Sequence, residues 1–179
     1  ASLELTPVDS IFVRMGAKDH IVCGQSTFFV ELHETASMLR NATCQSLVAL
    51  DELGRGTATT DGEAIAHAVL EYLSSEIGCR GMFATHYHSV AKEFKDHGQI
   101  AVKHMACEVT TPTADQGPVD VKFLYKLADG VAPRSYGMNV ARLAGLGEPI
   151  IQMADTISTE MEGMFKQRDR HQHLSSKEY

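Results

Sequence analysis

The sequence predicts an α/β domain on a largely parallel sheet, with a hairpin and a helical appendage. Three observations carry this. Residues 46–50 and 81–84 are short apolar runs bounded by polar or turn residues, the form of strands buried on both faces. A helical periodicity lies between them, and strand–helix–strand order builds parallel sheets. After residue 133 the pattern becomes helical throughout.

The elements follow in order. Residues 10–15 alternate weakly and predict a first strand. Phe29, Leu32, Ala36 and Leu39 recur at helical spacing, which predicts an amphipathic helix over 29–43. The strand over 46–50 stops at two acids. Ile65, Val69, Leu73 and Ile77 form one stripe of a helix over 61–77, with Asp61 as its N-cap. The strand over 81–84 follows. Residues 100–109 and the alternating Val119, Val121, Phe123, Tyr125 and Leu127 predict the two arms of an antiparallel hairpin, looped by the polar stretch 110–118. Ile150, Ala154, Ile157, Met161 and Met164 repeat at spacings of four and three, a narrow seam suited to one partner helix. This divides the chain at 1–132, 133–165 and 166–179. The last part is charged, His-rich and without an apolar stripe, and is expected to be a disordered tail.

Composition bounds the function. Hydrophobic residues at 44% with 22% charged indicate a soluble globular chain. A net charge of −7 argues against a nucleic-acid clamp within these residues, since neutralising phosphates needs clustered Lys and Arg. Cys23, Cys44, Cys79 and Cys107 form no CxxC pair. Reduced, mostly buried thiols in an intracellular protein are expected. No leader or membrane-spanning run is visible, so no membrane partner is expected.

The chemistry concentrates after the strand over 46–50. Leu47, Val48, Ala49 and Leu50 place Asp51 and Glu52 at the C-terminal end of a buried strand, where ligands bind in open α/β sheets. In a nucleotide site the first acid, Asp51, holds Mg²⁺ through water and the second, Glu52, polarises the attacking water. Otherwise the pair is a solvated acidic turn. Gly54-Arg55-Gly56-Thr57 follows, a run that cannot continue a strand. Thr85 and His86 come just after the next strand, and a parallel neighbour would put His86 beside the acids. A neutral imidazole there can hydrogen-bond a γ-phosphate or its water. Gly24, Ser26 and Thr27, before the first long helix, offer groups to a phosphate, or Ser26 or Thr27 simply caps that helix. No GxxxxGK[ST] phosphate loop occurs, and no lysine follows a glycine. These residues alone are expected not to turn over ATP. His171 and His173, or His86 and His88, are weaker metal candidates, each lacking a third ligand.

The runs GQSTFFVELHETASMLRNAT, SLVALDELGRGTATTDG and MFATHYHS, with LTPVDSIFVRMGA before them and APRSYGMNVARLAGL after, resemble the ATPase domain of the MutS mismatch-repair family from about Leu5 to Thr159. The motif THYH with HMAC at residues 104–107 is most similar to the eukaryotic branch that supplies the larger subunit of the MutS-alpha heterodimer. The resemblance implies an ABC-type P-loop NTPase fold, here partial, with ATP and Mg as cofactors and two sites at a dimer interface. By it Asp51 is the Mg-site acid, Glu52 the catalytic base and His86 the switch histidine. Ser26 becomes the signature serine that reaches the partner's γ-phosphate, with Gly24 and Thr27 beside it. Gly54–Thr57 becomes the loop linking the two sites, and Ser135-Tyr136-Gly137 begins a dimer-locking helix-turn-helix. A second MutS-homologue subunit, mismatched double-stranded DNA bound through other domains, and a nuclear location follow from the same resemblance. Cys23 and Thr60 depart from the family's usual serine and aromatic residue, and neither change removes a catalytic group.

The leading expectation is thus the base, switch and trans signature of a mismatch-repair ATPase. The alternatives are a non-catalytic dimerisation and regulatory module, and an unrelated ABC-type chromosome-maintenance ATPase. Without a phosphate-loop strand, marginal stability is expected.

Overall fold

A computed structural model describes residues 4–15, 26–110, 120–133 and 135–175. The chain divides into two compact units, one of Ala1–His104 with Asp129–Val131 and one of Met105–Ala128 with Ala132–Tyr179.

In the first unit, β1 (Ile11–Arg14), β2 (Leu47–Asp51) and β3 (Arg80–Ala84) form a three-stranded sheet in that order. Both pairings are parallel, as the strand–helix–strand pattern requires. The central strand β2 carries the core, with Val48 and Leu50 fully buried. Helix α1 (Thr27–Asn41) contributes Met38 to the same cluster, and α2 (Thr59–Glu71) contributes Val69. A π-helical turn over Tyr72–Ile77 continues α2, adds Leu73, and ends at Gly78 in the left-handed region. A second cluster joins Ala66 of α2 to Tyr87, to Val90 of α3 (His88–Glu93) and to Phe94. Asp9 ties the entry of β1 to the α1–β2 turn, accepting from Thr43 Oγ1 and, at 2.7 Å, from Ser46 Oγ. Those two bonds hold its carboxyl below the usual value.

Four sequence expectations need correction here. The stripe predicted for α1 holds only in part: Leu32 and Leu39 pack against the core, but Phe29 is 53% exposed and the buried residues are Glu31, Thr35 and Met38. The cause is polar, since Glu31 has a backbone partner in the core and Thr35 Oγ1 donates to the Glu31 carbonyl at 2.8 Å. Asp61 is not the cap of α2, which starts at Thr59 after Ala58; it lies in the first turn, where its charge favours the helix dipole. β3 is an edge strand and not buried on both faces, with Met82 69% exposed. The described cysteines are free but not mostly buried: Cys44, in the turn before β2, is exposed, and Cys79 and Cys107 are half-buried. Cys23 lies outside the described residues.

β4 (Lys103–Thr110) and β5 (Asp120–Asp129) form a separate two-stranded sheet. The alternation read along β5 fails at its middle. Val121 is buried, but Tyr125 adopts φ +53° and both Tyr125 and Leu127 are exposed. A non-glycine residue in that region interrupts the pleat that sends alternate side chains inward.

In the second unit, α4 (Gly137–Leu143) packs on α5 (Glu148–Ser175). Arg142 grips Glu148 with two hydrogen bonds of 2.9 Å, which raises the Arg142 pKa and lowers that of Glu148. Ile151 is fully buried, whereas Ile150, Ile157, Met161 and Met164 of the predicted seam are exposed. Helix α5 runs on to Ser175, so backbone helix extends into the segment read as a tail. Among the described residues no helix is long and apolar enough to cross a membrane.

Candidate functional site

The site is built by the register of β2 and β3. Asp51, the last residue of β2, lies opposite Ala84, the last of β3. The Glu52 N–H donates to the Ala84 carbonyl at 2.9 Å, extending the ladder one residue past the strand. Both acids therefore stand where the chain leaves β3 through Thr85 and His86. The Thr85 hydroxyl accepts from the Tyr87 N–H at 3.0 Å and turns the chain toward α3. His86 Nδ1 stands 4.0 Å from Glu52 Oε1.

Consecutive residues of an extended strand point to opposite faces. Here Asp51 and Glu52 line the same open cleft of about 240 Å³, together with Arg14, Thr27, Glu31, Arg55 and Gly56. The backbone of Glu52 explains this, because its φ of +52° takes the chain out of the strand conformation. Leu53, 0% exposed, then anchors the turn in the core, and Gly54 continues it at φ +92°. A second carboxylate oxygen, Glu52 Oε2, accepts from Arg55 Nη1 at 2.7 Å. With 40% of the Glu52 side chain and 74% of the Arg55 side chain exposed, that ion pair contributes at most about 1 kcal/mol and opens readily.

The predicted phosphate-facing group is only partly assembled. Ser26 caps α1, its Oγ accepting from the Phe29 N–H at 3.2 Å, so capping is what it does in this chain. A hydroxyl that accepts retains its own proton to donate. Thr27 is the first helical residue and lines the cleft beside the acids. Gly24 lies outside the described residues.

Asp51, Glu52 and the Thr27 hydroxyl are hard oxygen donors around one cleft, the chemistry Mg²⁺ selects when water and phosphate oxygens complete its shell. Among the described residues no group of three or more His, Cys, Asp or Glu side chains could hold a metal. The histidine candidates get no support from it; the side chains of His171 and His173 lie outside the described ones.

Sequence reasoning missed Arg14, Glu31 and Tyr87, and it placed Arg55 only in the turn run 54–57 without its bond to Glu52. Tyr87 is buried under the turn and donates from its hydroxyl to the Gly54 carbonyl at 2.9 Å. Burial first, then the carboxylates of Glu63, Glu31 and Glu52, push its phenol above the ordinary value. Glu31 was legible only as an acid at spacing four and seven from Thr35 and Met38, a stripe that apolar periodicity does not register.

The family description "MutS domain V" matches residues 1–162. The chain is 51% identical over 169 residues to the DNA mismatch repair protein MSH6 of Arabidopsis thaliana, covering 94% of the chain. It is 51% identical over 160 residues to Msh6 of Homo sapiens, covering 89% of the chain, and 46% identical over 180 residues to MSH3 of Chaetomium globosum, covering 93%. The chain spans 13%, 12% and 16% of the length of these three relatives, respectively. A family match over most of the residues, with relatives near half identity along nearly the whole chain, means that this chain belongs to the MutS family of DNA mismatch-repair proteins and carries its domain V.

Proposed function

We propose that this chain supplies one side of an ATP-hydrolysing site in a MutS-type mismatch-repair protein. The observation that carries the reading is the meeting of Glu52 and His86 across two parallel strand ends, 4.0 Å apart, beside Asp51. Glu52 takes the proton of the attacking water once Arg55 lets go of its carboxylate. His86 holds the water or the γ-phosphate oxygen at the same spot. Asp51 would hold a magnesium ion, and that ion would supply charge neutralisation at the transferring phosphoryl group. Thr27 faces the nucleotide, and Ser26 and Gly24 serve as signature contacts to a nucleotide held by a second MutS-homologue subunit.

The phosphate-cradling loop belongs on the free edge of β3. Among the described residues β3 pairs on one side only, and it runs into the turn bearing His86. In this reading ATP binding and hydrolysis switch a nuclear heterodimer between states on mismatched double-stranded DNA, which other domains contact.

The test is ATP turnover by a full-length subunit containing these residues, paired with its partner. Glu52→Gln should lower kcat about 10²–10⁴-fold. Turnover at the parental rate would sink the proposal.

A second reading has its own support. Ile150, Met153, Ile157, Met161 and Met164 of α5 are all half-exposed or more, a row of apolar side chains on one helix. Such a row suits a partner helix, so dimerisation, with ATP controlling assembly, is a function this chain could serve without catalysis.

A further inference from the structure

We infer that Glu31 and Tyr87 are positioning residues that clamp the backbone on both sides of Gly54 and so hold the acidic turn in its working conformation. This rests on the reading of Glu52 as the general base and deepens it. The Gly54 N–H donates to Glu31 Oε1 at 2.7 Å, and the Gly54 carbonyl accepts from the Tyr87 hydroxyl at 2.9 Å. Both bonds are buried, so the two peptide groups that flank the Gly54 Cα are each held by a polar side chain away from water. Gly54 also rests against Gly62 of α2. A Cβ at Gly54 would lie 2.3 Å from the Gly62 carbonyl oxygen, and one at Gly62 would lie 2.1 Å from the Gly54 oxygen and 2.6 Å from the Tyr87 hydroxyl. Only two glycines allow that approach, and Gly54 also sits at φ +92°.

The clamp matters because of what precedes it. Glu52 is a non-glycine residue at φ +52°, a conformation that persists only where its surroundings over-determine it. Its N–H is fixed by Ala84, Leu53 is plugged into the core, and the Gly54 peptide is gripped just beyond. Releasing the grip lets the turn relax and moves the carboxylate away from His86. The grip also links elements. Glu31 lies one turn along α1 from Thr27, which lines the cleft, and Tyr87 directly follows His86. A displacement of α1 is therefore carried to the turn that bears the base.

The experiment compares Glu31→Ala, Glu31→Gln and Tyr87→Phe in the full-length subunit with its partner, reading kcat and KM for ATP. Misplacing a catalytic group by about 1 Å can cost 10²-fold. Glu31→Ala and Tyr87→Phe should therefore lower kcat about tenfold or more, with KM changed less than about twofold. Glu31→Gln keeps an oxygen that accepts from the Gly54 N–H and should recover kcat to within about threefold. Should Glu31→Ala fail to fold, Tyr87→Phe, which lacks one hydroxyl, carries the test alone. Parental kcat in Tyr87→Phe, or a loss in Glu31→Gln equal to that in Glu31→Ala, overturns the clamp. A Glu52→Gln control separates the two claims. If it turns over ATP normally the base assignment fails, and if it is dead while Tyr87→Phe is normal only the clamp fails.

Discussion

At the turn after β2, Leu53 is fully buried and the peptide groups on either side of Gly54 are hydrogen-bonded by side chains from α1 and from the connection between β3 and α3. Along α5, Ile150, Ile157, Met161 and Met164 are about half exposed, and among the described large apolar side chains of the helix Ile151 is the buried one. The first region uses apolar burial and polar contacts to fix one geometry. The second leaves apolar area uncovered, which contributes nothing to the stability of the chain itself and becomes favourable only when a second surface removes it from water. The contrast separates a place built for chemistry, where position matters, from a place suited to assembly.

Paired substitutions should break this symmetry in opposite directions. Leu53→Ala removes a fully buried side chain under the turn and should lower unfolding free energy by about 2–5 kcal/mol in urea unfolding. A change below about 1 kcal/mol would mean the turn is not anchored as described. Ile157→Asp with Met161→Asp should change the stability of the isolated chain by no more than about 0.5 kcal/mol, because both sites are already solvated. The same pair should abolish association with a second MutS-homologue subunit in size-exclusion chromatography. Retained pairing would remove the assembly role from that helix.

The parts of the fold legible in the sequence were those written in apolar side chains. Leu47–Asp51 and Arg80–Ala84 fall within one residue of the runs that predicted them, and for the central strand β2 the reason is that a strand flanked on both sides is apolar along its length. The juxtaposition of Asp51, Glu52 and His86 was legible for the same reason, because parallel neighbours place their ends together. What periodicity could not show was written in polar atoms. Glu31 turned inward to serve Gly54, and α1 rotated its buried face away from Phe29 accordingly. Backbone sign was equally hidden: nothing in the identity of Glu52 or Tyr125 announces a positive φ. For Asp61, any of several small or polar residues before the stripe of α2 could have begun the helix, and the chain used Ala58.

The measurement that bears most directly on the account is a double-mutant cycle on ATP turnover, joining Glu52→Gln to His86→Ala in the full-length paired subunit. If the two side chains act on one water at one site, their effects are strongly non-additive, and the double variant is no slower than the worse single variant by more than about threefold. Losses that multiply in full would mean Glu52 and His86 act independently, and the site as described would be wrong.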